Sequence, residues 1–217
     1  MYKTVIFDLD GTLLDTLADL HASVNAALAA YGLPSRSVEE VRAFVGNGIA
    51  KLIERAIGDK NCPDFEGVLS AFKEHYGAHC KDKTKPYGGI LELLKKLQAA
   101  GVKTAVVSNK ADFAVKLLAE EYFSGLLLYA VGENEAAGVR KKPAPDSLFA
   151  VMEKLNAKKE DAVYVGDSEV DIQTAQNAGV ACISVTWGFK DRKFLLTHGA
   201  KVLIDTPDAI LKYCKII

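Results

Sequence analysis

The sequence predicts an α/β protein: a doubly wound, mostly parallel sheet with an α-helical domain inserted after its first strand. Three observations carry that expectation. From Ile90 onward, short apolar or β-branched runs alternate with amphipathic helical stretches, the pattern of parallel strands covered by helices on both faces. The segment 16–83, in contrast, has helical texture throughout and no strand of any length. Acids, hydroxyls and lysines gather where the strand-like runs end, and open α/β sheets bind ligands beyond the carboxyl ends of their strands.

Residues 3–8 read as the first, buried strand. Asp15 or Thr16 caps a helix that runs to Tyr31, where Gly32 and Pro34 end it. Ser37 and Glu40 have capping-box spacing for a short second helix, broken at Gly46 to Gly48. A third helix ends near Ile57, and a fourth runs from about Pro63 to His79. Beyond Tyr87-Gly88-Gly89 the alternation begins with the helix ILELLKKLQAA, stopped by Gly101. The strand VKTAVVSN, the helix ADFAVKLLAEEY, the strand GLLLYAV and the helix DSLFAVMEKLN follow. The strand DAVYVGD ends on an acid and leads into the helix EVDIQTAQNAG; the strands VACISVTWG and AKVLID and a last helix, TPDAILKYC, complete the chain. The expected division is a core of residues 1–15 and 84–217 and an inserted helical domain of residues 16–83.

With 217 residues and 49% hydrophobic content, the chain can bury a sizeable core. Its 27 basic and 28 acidic side chains leave a net charge of −1 and no basic field for nucleic acid or an anionic membrane. No apolar run approaches the roughly 20 residues that span a bilayer, and the N-terminus reads as a strand rather than a signal peptide. Cys62, Cys80, Cys182 and Cys214 are widely spaced and form no CxxC, which argues against a disulfide framework or a structural zinc site. The expectation is a reduced, cytoplasmic protein, a monomer or homodimer, with no nucleic-acid or membrane partner.

In VIFDLDGTLLD, Asp8 and Asp10 stand at the mouth of a buried strand, where an unpaired carboxylate is costly. Ser108 and Asn109 end the VKTAVVSN strand. Lys142, with Arg140 and Lys141 as close rivals, lies in the loop after GLLLYAV and is singled out by its pairing with proline; Asp167, Ser168 and Asp171 close the rim. Carboxylates gathered this way repel one another unless a cation lies between them, and oxygen ligands of this kind suit Mg²⁺. A carboxylate can attack phosphorus, and a second can protonate the leaving oxygen and later activate water. A hydroxyl and an ammonium can hold the transferring phosphoryl oxygens. The partners of Asp8 and Asp10 are therefore read as a metal ion and the phosphoryl group of a small phosphorylated metabolite.

Asp8-Leu9-Asp10-Gly11-Thr12 (DxDGT), Ser108, Lys142 and Gly166-Asp167-Ser168-Glu169-Val170-Asp171 (GDSxxD) resemble, in order and spacing, the four motifs of the haloacid dehalogenase (HAD) superfamily of phosphohydrolases. The resemblance covers essentially the whole chain and implies a Rossmann-like HAD core with a mobile helical cap. It implies that Asp8 is the nucleophile and a Mg²⁺ ligand. Asp10 is then the general acid/base and offers its carbonyl to the metal, and Asp167 is the other metal carboxylate. Asp171 and Ser168 would stand behind these, orienting metal waters or Lys142. Thr12, Ser108 and Asn109 would bond phosphoryl oxygens, and Lys142 would neutralise charge at Asp8 and the phosphate. Asp10 separates the chain from dehalogenases and phosphonatases, which lack the second acid.

The insertion after the first motif and the phrases Val45-Gly46-Asn47-Gly48, VVSNK and VTWGF resemble the phosphoglycolate phosphatase group, which implies 2-phosphoglycolate as substrate. Gly46 and Gly48 permit positive φ, so their loop is expected to reach the substrate, with Asn47 or Arg42 meeting its carboxylate. Other readings stay open: a phosphatase for a sugar phosphate, a nucleotide or pyrophosphate, or a phosphomutase like β-phosphoglucomutase. A different class, a receiver-like or non-catalytic phospho-ligand binder, is opposed by the intact Asp8 and Asp10 pair. His75 and His79 stand four apart beside Cys80 at metal-ligand spacing but lack an evident third ligand. Tyr164 and Trp187 are expected to serve packing.

Overall fold

The structure is a computed structural model that describes residues 1–58 and 64–216. The first strand, β1 (Thr4–Phe7), is buried along its whole length. Its period-two alternation sends Val5 and Phe7 to one face and Ile6 to the other. Beyond it the chain turns at Gly11, and a two-stranded antiparallel ribbon of β2 (Leu14–Asp15) and β3 (Lys85–Pro86) brackets the insertion.

Between those short strands lie α1 (Leu17–Ala30), α2 (Val38–Phe44), α3 (Ile49–Ile57) and α4 (Phe65–His79). Thr16 occupies the cap position of α1 without a side-chain bond, and the Leu17 amide reaches Asp15 Oδ1 at 3.4 Å. Ser37 and Glu40 form the expected capping box on α2. Asp64 caps α4 by accepting from the Gly67 amide at 2.8 Å; the start expected at Pro63 lies outside the described residues, as does Cys62. Helix α1 packs chiefly on α4. The buried Asp19 carboxylate secures the return to the sheet by accepting from the Lys83 and Thr84 amides and from Thr84 Oγ1 at 2.8–3.0 Å.

The rest of the chain alternates α5 (Ile90–Ala99), β4 (Lys103–Ala111), α6 (Asp112–Phe123), β5 (Tyr129–Glu133), α7 (Asp146–Lys154), β6 (Ala162–Gly166), α8 (Glu169–Ala178), β7 (Ala181–Val185), α9 (Arg192–Thr197), β8 (Leu203–Ile204) and α10 (Ile210–Tyr213). The six-stranded sheet has the order β5-β4-β1-β6-β7-β8 with parallel pairing throughout. Helices α5, α6 and α10 cover the Val5 and Phe7 face, and α7 and α8 cover the Ile6 face. The cluster on the first face continues without a break into Val24, Val41 and Phe72 of the insertion. Two details differ from expectation: β5 begins at Tyr129 rather than near Gly125, and α9, capped by Asp191, was not anticipated. Among the described cysteines, Cys80, Cys182 and Cys214 are free. No described helix is long and apolar enough to cross a membrane.

The order of strands places the site. After β1 the chain builds outward through β4 and β5, then returns to the other side of β1 for β6, β7 and β8. The carboxyl ends of β4, β1 and β6 are therefore neighbours at the switch in winding direction, where crevices open in such sheets.

Candidate active site

Asp8 follows directly on β1, and its amide bonds the Val165 carbonyl of β6 at 2.8 Å. Its Oδ1 accepts from the Leu9 amide at 2.7 Å and lies 3.0 Å from Lys142 Nζ. Oδ2 is thus the oxygen left to face the cavity. Lys142 is 4% exposed, and three partners surround its ammonium: Asp8 Oδ1, Asp171 Oδ1 at 2.8 Å and the Tyr164 hydroxyl at 2.9 Å. Burial works to lower the Lys142 pKa, but Asp171 and Asp8 outweigh it and hold the group well above the ordinary lysine range. Asp171 is itself occupied, since Oδ2 accepts from the Ser168 amide at 3.0 Å and Ser168 Oγ at 2.7 Å. It braces the lysine and the turn into α8.

Asp167 ends β6 and points back toward Asp8. Oδ2 accepts from the Phe189 amide at 2.7 Å and Oδ1 from Thr12 Oγ1 at 3.3 Å. Gly11 lets the DxDGT loop close over this carboxylate: its φ is +76°, and a Cβ there would lie 2.4 Å from Asp167 Oδ2. Carboxylate oxygens of Asp8, Asp167 and Asp171 all lie within 4.8 Å of one another. Burial pushes the Asp8 carboxyl up to about 6, with Lys142 opposing and Asp171 and Asp10 adding to the rise. Burial and the neighbouring carboxylates raise Asp167 well above its usual range. Two buried carboxylates whose charged forms are disfavoured in this way fit a divalent cation with oxygen ligands. With Asp171 taken up by Lys142 and Ser168, Asp8 and Asp167 are the side chains that would hold it.

Above the floor the insertion supplies a ceiling. The cavity is lined from below by Asp8, Asp10, Ser108, Lys110 and Asp167, and from above by Leu20, Val45, Ile49, Leu52 and Tyr76, with the backbone of Gly46 and Gly48. These two glycines have φ of +124° and +86°. Asn109 joins the halves: its amide nitrogen donates to the Gly46 and Lys142 carbonyls, both at 3.0 Å, and its Oδ1 accepts from the Lys142 amide at 2.8 Å.

A family profile described as haloacid dehalogenase-like hydrolase matches residues 5–185. The chain belongs to this family. Phosphoglycolate phosphatase of Pseudomonas syringae pv. syringae is 36% identical to this hydrolase over 221 residues, covering 98% of the chain and 79% of that protein. Phosphoglycolate phosphatase 1 of Pseudomonas aeruginosa is 34% identical, covering 96% and 76%. A crystal structure from Lactobacillus delbrueckii subsp. bulgaricus superposes with a TM-score of 0.90 at 40% identity over 98% of both chains. The named relatives and the family together support a hydrolase of phosphoric monoesters.

The structure brings Asp8, Asp10, Ser108, Lys142, Asp167, Ser168 and Asp171 of this hydrolase to one rim. It places others differently. The Asn109 amide, read as a phosphate ligand, is spent on Gly46 and Lys142, and Thr12 Oγ1 is directed at Asp167. Asn47 is half-buried and Arg42 exposed, and neither lines the cavity. His75 bonds Ser23 Oγ at 3.0 Å and His79 bonds Asp82 at 2.8 Å, so neither stands in the acidic cluster. Trp187 does more than pack, donating through Nε1 to the Thr12 carbonyl at 3.0 Å.

Two residues were missed. Tyr164, expected only to pack, accepts from Lys142 and donates to the Val107 carbonyl at 2.7 Å. Lys110 is 5% exposed, and its Nζ lies 2.9 and 3.1 Å from the two oxygens of Asp10 while also bonding the Tyr76 hydroxyl of α4. Burial works to lower the Lys110 pKa, but Asp10 and Tyr76 outweigh it and raise the group. A signal for Lys110 was present: it stands two residues beyond Ser108, and side chains two apart on a strand share a face.

Proposed function

We propose that this hydrolase is a Mg²⁺-dependent phosphatase for 2-phosphoglycolate, working through an aspartyl phosphate on Asp8 beneath a mobile helical cap. The reading of the chemistry rests on the arrangement around Asp8. With Oδ1 engaged by Leu9 and Lys142, Oδ2 attacks phosphorus. The bond from phosphorus to the ester oxygen breaks, and that oxygen takes a proton from Asp10. In the second half Asp10 withdraws a proton from water, the water oxygen attacks phosphorus, and the bond to Asp8 breaks, releasing inorganic phosphate. Lys142 stays beside Asp8 throughout and offsets negative charge that gathers there. Mg²⁺ held by Asp8, Asp167 and the Asp10 carbonyl would supply positive charge against the phosphoryl oxygens.

The observation that carries the substrate is the ceiling. Its cavity-lining side chains are Leu20, Val45, Ile49, Leu52 and Tyr76, and the one phenol is already bonded to Lys110. A sugar leaving group would bury several hydroxyls against this surface without partners, each a net loss. The two-carbon glycolate has no free hydroxyl to satisfy. This favours 2-phosphoglycolate over the sugar-phosphate reading, even though CbbY of Rhodobacter sphaeroides, with a TM-score of 0.79 and 25% identity, has been crystallised with xylulose-(1,5)-bisphosphate. It also disfavours a mutase, which must seat a sugar as phosphoryl acceptor.

The test is phosphate release with Mg²⁺ from 2-phosphoglycolate, glucose 6-phosphate, a nucleoside monophosphate and pyrophosphate. The expected result is the highest kcat/KM for 2-phosphoglycolate. Preference for a sugar phosphate would keep the Asp8 chemistry and reject the substrate. Phosphoryl transfer between sugar hydroxyls without phosphate release would reject hydrolysis as the main outcome.

A further inference from the structure

We propose that Lys110 determines specificity by binding the carboxylate of the leaving group. The proposal rests on the 2-phosphoglycolate reading and deepens it. Two buried ammonium groups serve the floor. Lys142 is committed to Asp8, Asp171 and Tyr164 and stands on the phosphoryl side. Lys110 is paired instead with Asp10 and bonds Tyr76 of the insertion, so it stands at the line where floor meets ceiling. It comes from β4 and lines the cavity, its Nζ bonded to both Asp10 and Tyr76.

Asp10 marks the place of the ester oxygen, because it exchanges a proton with that atom. In 2-phosphoglycolate the carboxylate is separated from the ester oxygen by a single methylene. A carboxylate that close to Asp10 falls beside the ammonium that already touches both Asp10 oxygens. The other lysine lining the cavity, Lys190, is half-buried and directs its Nζ to the Ala43 carbonyl at 3.3 Å. Among the described residues, the ceiling contributes no cation to the cavity lining. Lys142 already faces two carboxylates, Asp8 and Asp171, whereas Lys110 faces one, Asp10, so a second negative charge entering this cavity is matched at Lys110, where low exposure strengthens a charge-assisted bond. Tyr76 keeps the ammonium turned inward, and the apolar wall leaves no comparable partner for a neutral leaving group. Anionic recognition then comes from the sheet and size selection from the insertion.

The measurement compares kcat/KM for 2-phosphoglycolate with that for the phosphate ester of glycolamide, its neutral isostere. It uses the parent enzyme, Lys110→Met, Lys110→Gln and Lys110→Arg. Both esters need Asp10, so their ratio cancels whatever Lys110 does for Asp10 alone. The parent is expected to prefer the carboxylate. Lys110→Met and Lys110→Gln should each lower the ratio by about 10- to 100-fold, mainly by weakening apparent binding of the carboxylate ester, and Lys110→Arg should restore part of it. An unchanged ratio in the folded variants, with both esters slowed alike, would overturn the proposal and leave Lys110 as a support for Asp10. A parent enzyme that hydrolyses other esters but neither of these two would instead reject the 2-phosphoglycolate reading, and the anchor with it.

Discussion

The floor of the cavity carries three acids, two hydroxyls, an amide and a lysine on or beside the ends of β1, β4 and β6, whereas its ceiling offers one phenol among four aliphatic side chains. The floor is polar but tightly wired. Asp8, Asp167, Asp171, Lys142 and Lys110 each have named partners within 3.3 Å, drawn from different strands and loops. The ceiling is bonded to the floor through the Tyr76 hydroxyl and the Gly46 and Ala43 carbonyls, and its remaining cavity-lining side chains are apolar, a surface that in the proposed reading selects by shape and by what it refuses to solvate. In the proposed reading the catalytic groups and the carboxylate anchor stand on strand ends, and size selection is left to a surface whose side chains can change without disturbing a charge.

The largest expected effect breaks the floor. Asp8→Asn should reduce phosphate release by at least about 10⁴-fold while the thermal unfolding transition is retained. Turnover surviving in that protein would move the chemistry elsewhere.

Metal binding comes next. The pKa of Asp8 is raised to about 6 and that of Asp167 is raised as well. The stability these protonated groups lend the metal-free fold is present below about pH 4, the unfolded carboxyl range, and is lost as the pH rises through about 6. The Tm of metal-free protein should therefore fall between about pH 5 and about pH 7.5, and the Tm gained with Mg²⁺ should grow over the same range. At Mg²⁺ a hundredfold above Kd the gain should reach about 5–10 °C. Calorimetry showing a larger gain at the lower pH would contradict the assignment of these carboxylates.

Tyr164→Phe sharpens the contrast by loosening Lys142 without touching the ceiling. It should lower kcat about 10-fold with little change in KM, and a loss confined to KM would mean that the phenol contacts the ligand. The smallest effect belongs to the ceiling. Ile49→Ser should shift relative kcat/KM toward a hydroxyl-bearing ester by about 3- to 10-fold, read from the same phosphate-release assay. A comparable fall in kcat for every ester would show that floor and ceiling are not separable.

The two surfaces were unequally legible. Most of the floor, Lys110 excepted, could be read because its residues are bound to local patterns: acids after an apolar run, a hydroxyl at a strand end, a lysine before a proline. Alternation of strands and helices from Ile90 onward likewise gave the sheet and its covering layers. Of the ceiling, the loop carrying Gly46 and Gly48 was legible and lines the cavity, whereas Leu20, Ile49, Leu52 and Tyr76 come from three helices whose apolar faces look alike until they are packed. Tyr76 meets Lys110 across 34 positions of chain, and no periodicity reports that. The ribbon of β2 and β3 has only two residue pairs, formed between segments about 70 positions apart. Helix α9 is six residues long and buries only Leu195; its one local signal was Asp191, which accepts from the Phe194 amide at 2.7 Å.

The way the last turn of α2 and the loop that follows it are seated has a consequence for descent and design. Asn109 takes the Gly46 carbonyl, and Lys190 takes the Ala43 carbonyl. Both grips are on main-chain oxygens, which every residue type presents. Mutational drift in the side chains of this loop leaves the docking code intact. A lineage could retune which ester is admitted while inheriting the same closure, and a library built on residues 42–50 that spares the two glycines would explore selectivity on a fixed chassis.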